Sequence, residues 1–560
     1  MVLRRPVIRW LLFSLPLLFL AVFYFFPLSR IIGLSLSQDG GLQTTVLQKL
    51  FGSGTYGKIL WFSIWQAALS TILTLVFALP GAYVFAKYSF RGKAVFQALM
   101  TVPFVMPTVV TAAAFRALLG QNGLVNHWSM SMFGLSEPVI DIDQTIVFFL
   151  LAHIFYNYTL VVRMVSSFWS TIDHKVVAAA RMLGASPMAA FRTVTLPLLM
   201  PAIGSAALLV FTFCFTSFGV ILILGGPRFS TLEVEIYRQT VQLFNLPMAA
   251  TLAIIQLVFN FLLMWLHARL AKRTKVSFFA GDVSNTQSDP ESAAKRSFAF
   301  FNLSFMILLL ATPLIALIIR SFSGEDGFTL LYYTTLFTRD DTSLLMVEPI
   351  ASVKNSILFG FGAMSIALSL GLLAATFLSD NSGKNIAFWD AVIMLPLATS
   401  AVTLGFGYIV ALNKPPVNLR DSLLLVPLAH ALVAFPFVVR CLLPSLRQIP
   451  ADLREAATLL GASPFRVWRL IDIPLLRKAI LVAAIFAFAI SMGEFGASAF
   501  VARPHTPTMP VAIFRFLSHP GSLNYGQAMA MSTILMVVTC ISFWLAEKLE
   551  ARLADTRYVK

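Results

Sequence analysis

About twelve stretches of this chain stay apolar for roughly 20 residues or more, the length a helix needs to cross the hydrocarbon core of a bilayer. They lie near residues 8–28, 59–86, 95–118, 144–168, 199–224 and 247–267, then 298–319, 355–378, 386–411, 422–445, 477–502 and 524–547. Composition agrees, since 58% of the 560 residues are hydrophobic and 12% charged, against about 25% charged in a soluble domain. The expected fold class is an all-α integral membrane protein. A net charge of +16 is then explained by basic residues that anchor loops on one membrane face, with no nucleic-acid partner. Cys214, Cys441 and Cys540 are isolated in apolar runs, without disulfide or metal-ligand spacing, and read as small core hydrophobes.

Basic residues orient the spans. Arg4, Arg5 and Arg9 precede the first, Lys87, Arg91 and Lys93 follow the second, and Arg269, Lys272, Arg273 and Lys275 follow the sixth. Lys548, Arg552, Arg557 and Lys560 end the chain, whereas the loop "QNGLVNHWSMSMFGLSEPVIDID" after the third span has three acids and no lysine or arginine. The positive-inside rule places both termini in the cytoplasm of an inner-membrane, multi-pass protein. The N-terminal run has basic residues before an apolar core, as a signal peptide does. Its core is long and no small-residue cleavage site follows, so an uncleaved first span is expected.

The chain repeats itself. Adding 277 takes Ala152-His153 to Ala429-His430, Arg163 to Arg440, Gly184 to Gly461, Pro197 to Pro474 and Phe218-Gly219 to Phe495-Gly496. It also takes "TLEVEIYR" (Thr231–Arg238) to "TMPVAIFR" (Thr508–Arg515). Upstream the offset becomes 293, pairing Ser63 with Ser356 and Pro103 with Pro396, so the first half carries the longer outer loop after its third span. An even number of spans per half makes this a parallel repeat of two six-helix units. Residues 1–275 form the expected first repeat (core about 59–268) and 298–560 the second (core about 354–548). The polar stretch 276–297, "SFFAGDVSNTQSDPESAAKRSF", reads as a flexible cytoplasmic linker between them.

The least membrane-like stretch is also repeated. "EAATLLGASPFRVWRLIDIP" (Glu455–Pro474) has an earlier counterpart in "AAARMLGASPMAAFRTVTLP" (Ala178–Pro197). Asp452 to Leu460 suits a helix with an acidic start, Gly461 a left-handed exit, Ser463 an N-cap, and Pro464 the first position of a second helix. Phe465, Trp468 and Ile471 then give that helix an apolar stripe, and Pro474 is expected to close it. The first half offers Gly184, Ser186, Pro187, Phe191 and Pro197. Two short interfacial helices that only lie on the lipid surface are the plainer reading. A related pair on one membrane face fits a two-fold partner better.

E-A-A, three residues, G, nine residues and I-x-x-P resembles the signature loop of type I ABC importer permeases. Glu455, Ala456, Ala457, Gly461, Ile471 and Pro474 match throughout; Ala178, Ala179, Ala180, Gly184, Val194 and Pro197 match with the glutamate lost and valine for isoleucine. Two permease domains in one chain resemble the ferric-iron and thiamine permeases, and "FSIWQAALS", "LAHIFYNYTLVVR" and "SMGEFGASAF" are most similar to the thiamine branch. The resemblance implies the type I importer transmembrane fold and a transport subunit with no enzyme activity. It also implies two copies of an ATP-binding subunit on the cytoplasmic side, which hold the ATP and Mg, and an extracytoplasmic solute-binding protein. This chain itself would bind no cofactor. The coupling loops would comprise Ala178–Ala180, Gly184, Ser186, Pro187, Pro197, Glu455, Ala456, Ala457, Gly461, Ser463, Pro464, Ile471 and Pro474. The loss of glutamate at Ala178 makes the two loops unequal.

No catalytic or metal-binding set is expected. "GSGTYGK" (Gly52–Lys58) approaches a phosphate-binding loop, but Ile59 stands where magnesium needs Ser or Thr, and no strand precedes it. His153 and His430 invite a metal reading; the plainer one is that each satisfies backbone or lipid-interface partners. Arg163 and Arg440 are expected to snorkel toward the cytoplasmic edge. Glu494 lies in span eleven, where a carboxylate is costly and faces a cavity or a partner. Its mate is Ser217, and both are assigned to the substrate pathway. The alternative for Glu494 is a structural pair with a buried base. A small cationic solute, thiamine or iron(III), fits an acid in that place. The competing function is a secondary transporter of two six-span halves driven by an ion gradient. That class would need several intramembrane charges, whereas Glu494 stands essentially alone in the sequence. A purely structural membrane protein is a more distant reading.

Overall fold

The computed structural model describes residues 6–38, 54–274, 292–324, 327–338, 345–380, 384–414 and 417–555, with 41, 42, 48, 52 and 289 besides. Among the described residues, ten helices are long and apolar enough to cross a membrane: Leu12–Leu36, Thr55–Lys87, Ile146–Ser170, Pro187–Phe215, Leu246–Leu270, Ala293–Ser321, Pro349–Ser379, Leu425–Arg447, Phe465–Gly493 and Ser522–Ala546. The third and ninth spans, expected straight over 95–118 and 386–411, are instead bent pairs, with angles of 107° and 91° between their arms. Counting each pair as one gives the twelve spans of two six-helix repeats. Most of the 276–297 linker and part of Gly52–Lys58 lie outside the described residues; Ala293 already opens the seventh span and Thr55 the second.

Proline chemistry explains the bends. Met106 precedes Pro107 and takes an extended conformation, because the ring clashes with a helical neighbour. In the ninth span Pro396 sits in a tight turn over Leu395–Ala398, and the Ser400 hydroxyl caps the second arm by accepting from Val402 N at 3.1 Å. Such breaks survive at membrane depth only where protein covers the freed backbone groups. Here the covering comes from the eleventh span and the residues just beyond it. A Cβ on Gly493 would meet Pro107 at 3.3 Å, and one on Gly496 would meet Ala401 at 3.0 Å.

The repeat extends to single hydrogen bonds. Ser63 Oγ accepts from Leu232 N at 3.0 Å, and its mate Ser356 Oγ accepts from Met509 N at 2.7 Å. Arg163 donates to Gln97 O and to the Thr101 hydroxyl, while its mate Arg440 donates to Asp390, the mate of Gln97. Both arginines therefore tie the fourth or tenth span to the preceding one as well as reaching outward.

The first span of each half crosses to the other half. Phe13 stacks on Phe377 with centroids 3.8 Å apart, and the Tyr24 hydroxyl meets Thr399 Oγ1 at 2.8 Å. Conversely, Phe305 of the seventh span stacks on Phe77, and Phe298 packs edge-on against Tyr83. Each half thus clamps the other with a helix, so the two halves share one buried core.

Candidate functional site

Both polar loops are built alike. The helix His174–Met182 ends at Gly184, whose φ is +91°, and Ala451–Leu459 ends at Gly461, whose φ is +82°. Each exit is closed by the same long-range turn: Ala185 N donates to Ala180 O at 3.1 Å, and Ala462 N to Ala457 O at 3.0 Å. Ser186 Oγ then caps by accepting from Ala189 N at 3.2 Å, and Ser463 Oγ accepts from Arg466 N at 3.4 Å. Pro187 and Pro464 head the helices that follow.

Those second helices differ from expectation. They do not close at Pro197 or Pro474; they run on into the membrane as Pro187–Phe215 and Phe465–Gly493. A wide π-turn precedes each proline, at Phe191–Thr195 and Trp468–Asp472. The extra residue in that turn spares the carbonyl against which a proline ring clashes in a regular helix. Each loop is therefore continuous with the fifth or eleventh span.

The tips are apolar and bare. Met182 and Leu183 are 89% and 90% exposed, and their mates Leu459 and Leu460 are 88% and 89% exposed. Six spans separate the loops, counting the bent ninth as one, so both tips emerge on the same face. A lone apolar side chain at a surface is ordinary, but four large ones in two symmetric pairs form a patch that calls for a partner.

The loops are unequal in their chemistry. Arg454 Nε pairs with Asp472 Oδ1 at 2.8 Å, tying the helix Ala451–Leu459 to the span that follows it. The corresponding residues of the first loop are Val177 and Thr195, which cannot form that pair. With Glu455 standing where the first loop has Ala178, the second loop carries three charged groups at positions where the first has none. Glu455→Ala is expected to lower uptake by roughly fivefold, about 1 kcal/mol of coupling, whereas Ala178→Ser leaves it unchanged. Initial uptake rates measure both, and equal tolerance at the two positions would count against unequal coupling.

The two residues assigned to the substrate pathway from sequence, Glu494 and Ser217, sit at breaks in the eleventh and fifth spans. Helix Phe465–Gly493 stops just before Glu494, so this residue lies at a break and not inside a continuous span. Its carboxylate accepts from Ala497 N and Ser498 N, both at 3.1 Å, and approaches His430 Nε2 at 3.6 Å. Ser217 occupies the equivalent break after Phe215 and binds His153 Nε2 at 2.9 Å. The histidines are held by serine hydroxyls in the interior, not by backbone or lipid-interface partners. His153 spans Ser70 and Ser217, and His430 spans Ser491 and Ser498. Adjoining the two breaks, Phe218 of one half stacks on Phe495 of the other, with centroids 5.3 Å apart. Above them opens a cavity of about 930 Å³ lined by Tyr237, Phe495, Phe500 and Phe514 together with Arg30, Arg420 and Arg515. Among the described residues its lining holds no carboxylate.

Glu494 is accompanied by two further buried acids that sequence reasoning missed. Glu233 is fully buried and accepts from Ser400 Oγ at 2.8 Å and from Gln256. Glu235 accepts from Gln239 at 2.6 Å and faces Arg238 at 3.4 Å. They sit on a short helix, Leu232–Tyr237, whose mate has Pro510 and Ala512 in their places. Nothing in "TLEVEIYR" distinguishes it from a polar outer loop; only the fold carries it inward.

The chain's sequence matches the profile of the binding-protein-dependent transport system inner membrane component twice, over residues 78–276 and 367–555. It is 28% identical to the thiamine transport system permease protein ThiP of Brucella abortus over 502 residues, 88% of this chain and 87% of that one. The proteins of the same name from Haemophilus influenzae and Escherichia coli are 26% and 25% identical, over 86% and 88% of this chain and 86% and 89% of theirs. With both halves matched and the repeated glycine-turn loops in place, the chain belongs to the family of binding-protein-dependent transport system inner membrane components, as a fused two-domain permease.

Proposed function

We propose that this permease imports thiamine, or a close chemical relative, through the central path of an ATP-driven transporter, with both termini and both coupling loops in the cytoplasm. The carrying observation is the pair of exposed apolar tips, each continuous with a span that ends at the central break. Two ATP-binding subunits docked there would move both breaks together, and ATP and Mg would be held by those subunits. A solute-binding protein would deliver the solute on the opposite face. The relatives named as thiamine permeases supply the choice of solute, and nothing observed favours iron(III). Thiamine is a cationic pair of heteroaromatic rings, which suits the faces of Tyr237, Phe500 and Phe514 by stacking and cation–π contact. The arginines on the rim disfavour free cations, so ring stacking outweighs ion pairing in this reading. Glu494 and Ser217 act at the path by holding the breaks from which Phe495 and Phe218 project.

The buried Glu233 and Glu235 raise the number of interior acids above the one visible in sequence, which an ion-driven transporter would share. Their oxygens are engaged by neighbouring donors, however, and such a transporter has no use for the paired loops. Uptake of radiolabelled thiamine separates the two. Transport should stop when cellular ATP is drained and persist when an uncoupler collapses the ion gradient while ATP is maintained. The reverse pattern would overturn the reading.

A further inference from the structure

The pseudo-twofold axis relates the two sides of the Phe218–Phe495 pair; Tyr237 and its mate Phe514 line the cavity together, but other walls of the cavity have mates that are held differently. The open cavity is walled by the end of the first span at Gly33 and Leu34, by Thr240, by Ile409 and Val410, and by Arg420 ahead of the tenth span. Offsets of 277 and 293 give the mates Leu517 for Thr240, Arg116 for Ile409, Ala117 for Val410 and Asp143 for Arg420. Pairing Pro27 with Pro313 and Ser35 with Ser321 gives Arg320 for Leu34.

At the mate position these walls are bonded to one another. Arg116 Nη1 donates to Leu517 O at 3.0 Å, joining the first half to the second, and Arg116 Nε faces Asp143 Oδ1 at 3.8 Å. The Tyr525 hydroxyl donates to Arg116 O at 3.4 Å, and the Arg320 guanidinium lies 5.7 Å from the Tyr525 ring. Ala117 is completely buried, whereas its mate Val410 is partly exposed to the cavity.

The longer outer loop of the first half holds Asp143 in place. Buried Asn126 clamps the loop by donating to Gly120 O at 2.9 Å and Ile140 O at 2.7 Å while accepting from Ile140 N at 2.8 Å. Gln144, next to Asp143, has φ +55° and lies over Gly226, where a Cβ would meet it at 2.8 Å. A non-glycine residue at positive φ persists only where its surroundings hold it. The second half has only a short hairpin, Asn413–Lys414 with Val417–Asn418, in the corresponding place.

We propose that solute enters this permease from one side only, through the cavity between the first span, the Arg420 loop and Arg515, and that Arg116 and the first half's outer loop bolt its symmetry mate shut. The inference rests on the transport reading but is testable apart from it. Cys214, Cys441 and Cys540 are first replaced in a chain that keeps uptake, and single cysteines are introduced as Val410→Cys and Ala117→Cys. A membrane-impermeant thiol reagent is added from outside. Val410→Cys is expected to label and, once labelled with a bulky group, to lose uptake. Ala117→Cys stays unlabelled over the same interval and gains labelling when Arg116→Ala is added. Equal labelling at both positions in the Arg116 background would overturn the proposal, as would full uptake after quantitative modification of Val410→Cys. One-sided labelling that thiamine does not slow would leave the entrance standing and tell against thiamine as the solute.

Discussion

Gly461→Glu is expected to abolish uptake while the permease still inserts and folds. Gly461 has φ +82°, and a Cβ there would meet no atom of the described residues within 4 Å. The intramolecular cost is therefore limited to the left-handed backbone, about 1–2 kcal/mol, which a twelve-span protein can bear. The remaining effect falls on whatever packs over the turn, beside Leu459 and Leu460. A buried unpaired carboxylate in such an interface costs several kcal/mol, enough to lower docking on the order of a hundredfold or more. Gly461→Asn separates the two contributions, since asparagine tolerates the left-handed region, and it should retain much of the uptake. Co-purification of the ATP-binding subunit reads docking, and uptake reads coupling. If Gly461→Glu retained both, the loop would not be the docking site.

The second large effect is expected at Glu494. Its carboxylate is the acceptor for Ala497 N and Ser498 N, the two donors that open the short helix Ser498–Val501 behind Phe495. Glu494→Ala leaves both donors orphaned in a buried place, at about 1–3 kcal/mol each. It also removes the carboxylate that lies 3.6 Å from His430 Nε2. Uptake should be lost and the thermal transition of the purified permease lowered. Glu494→Gln keeps one acceptor oxygen and offers an amide to the other donor, so one orphan remains and uptake should fall roughly tenfold. Should Glu494→Gln transport at the parental rate, neither the charge nor the second acceptor matters, and the role given to this break fails.

Much of this protein was written in local pattern. Twelve spans, the parallel repeat and both glycine-turn loops follow from run length, fixed offsets and cap chemistry, because each depends on residues close together in the chain. Gly184 and Gly461 take the left-handed turn that their spacing implies. Hydropathy, however, reports only whether a segment tolerates lipid, so it could not tell the straight second span from the bent third and ninth. Proline marks the place of a bend, but neighbouring helices set its angle, as Gly493 against Pro107 shows. The same limit hid Glu233 and Glu235, whose burial depends on Ser400 and Gln256 arriving from elsewhere. Sequence alone therefore determined which segments cross the membrane and which turn outside it. Only the tertiary structure decided where the spans break and what covers the breaks, because those outcomes depend on contacts between residues hundreds of positions apart.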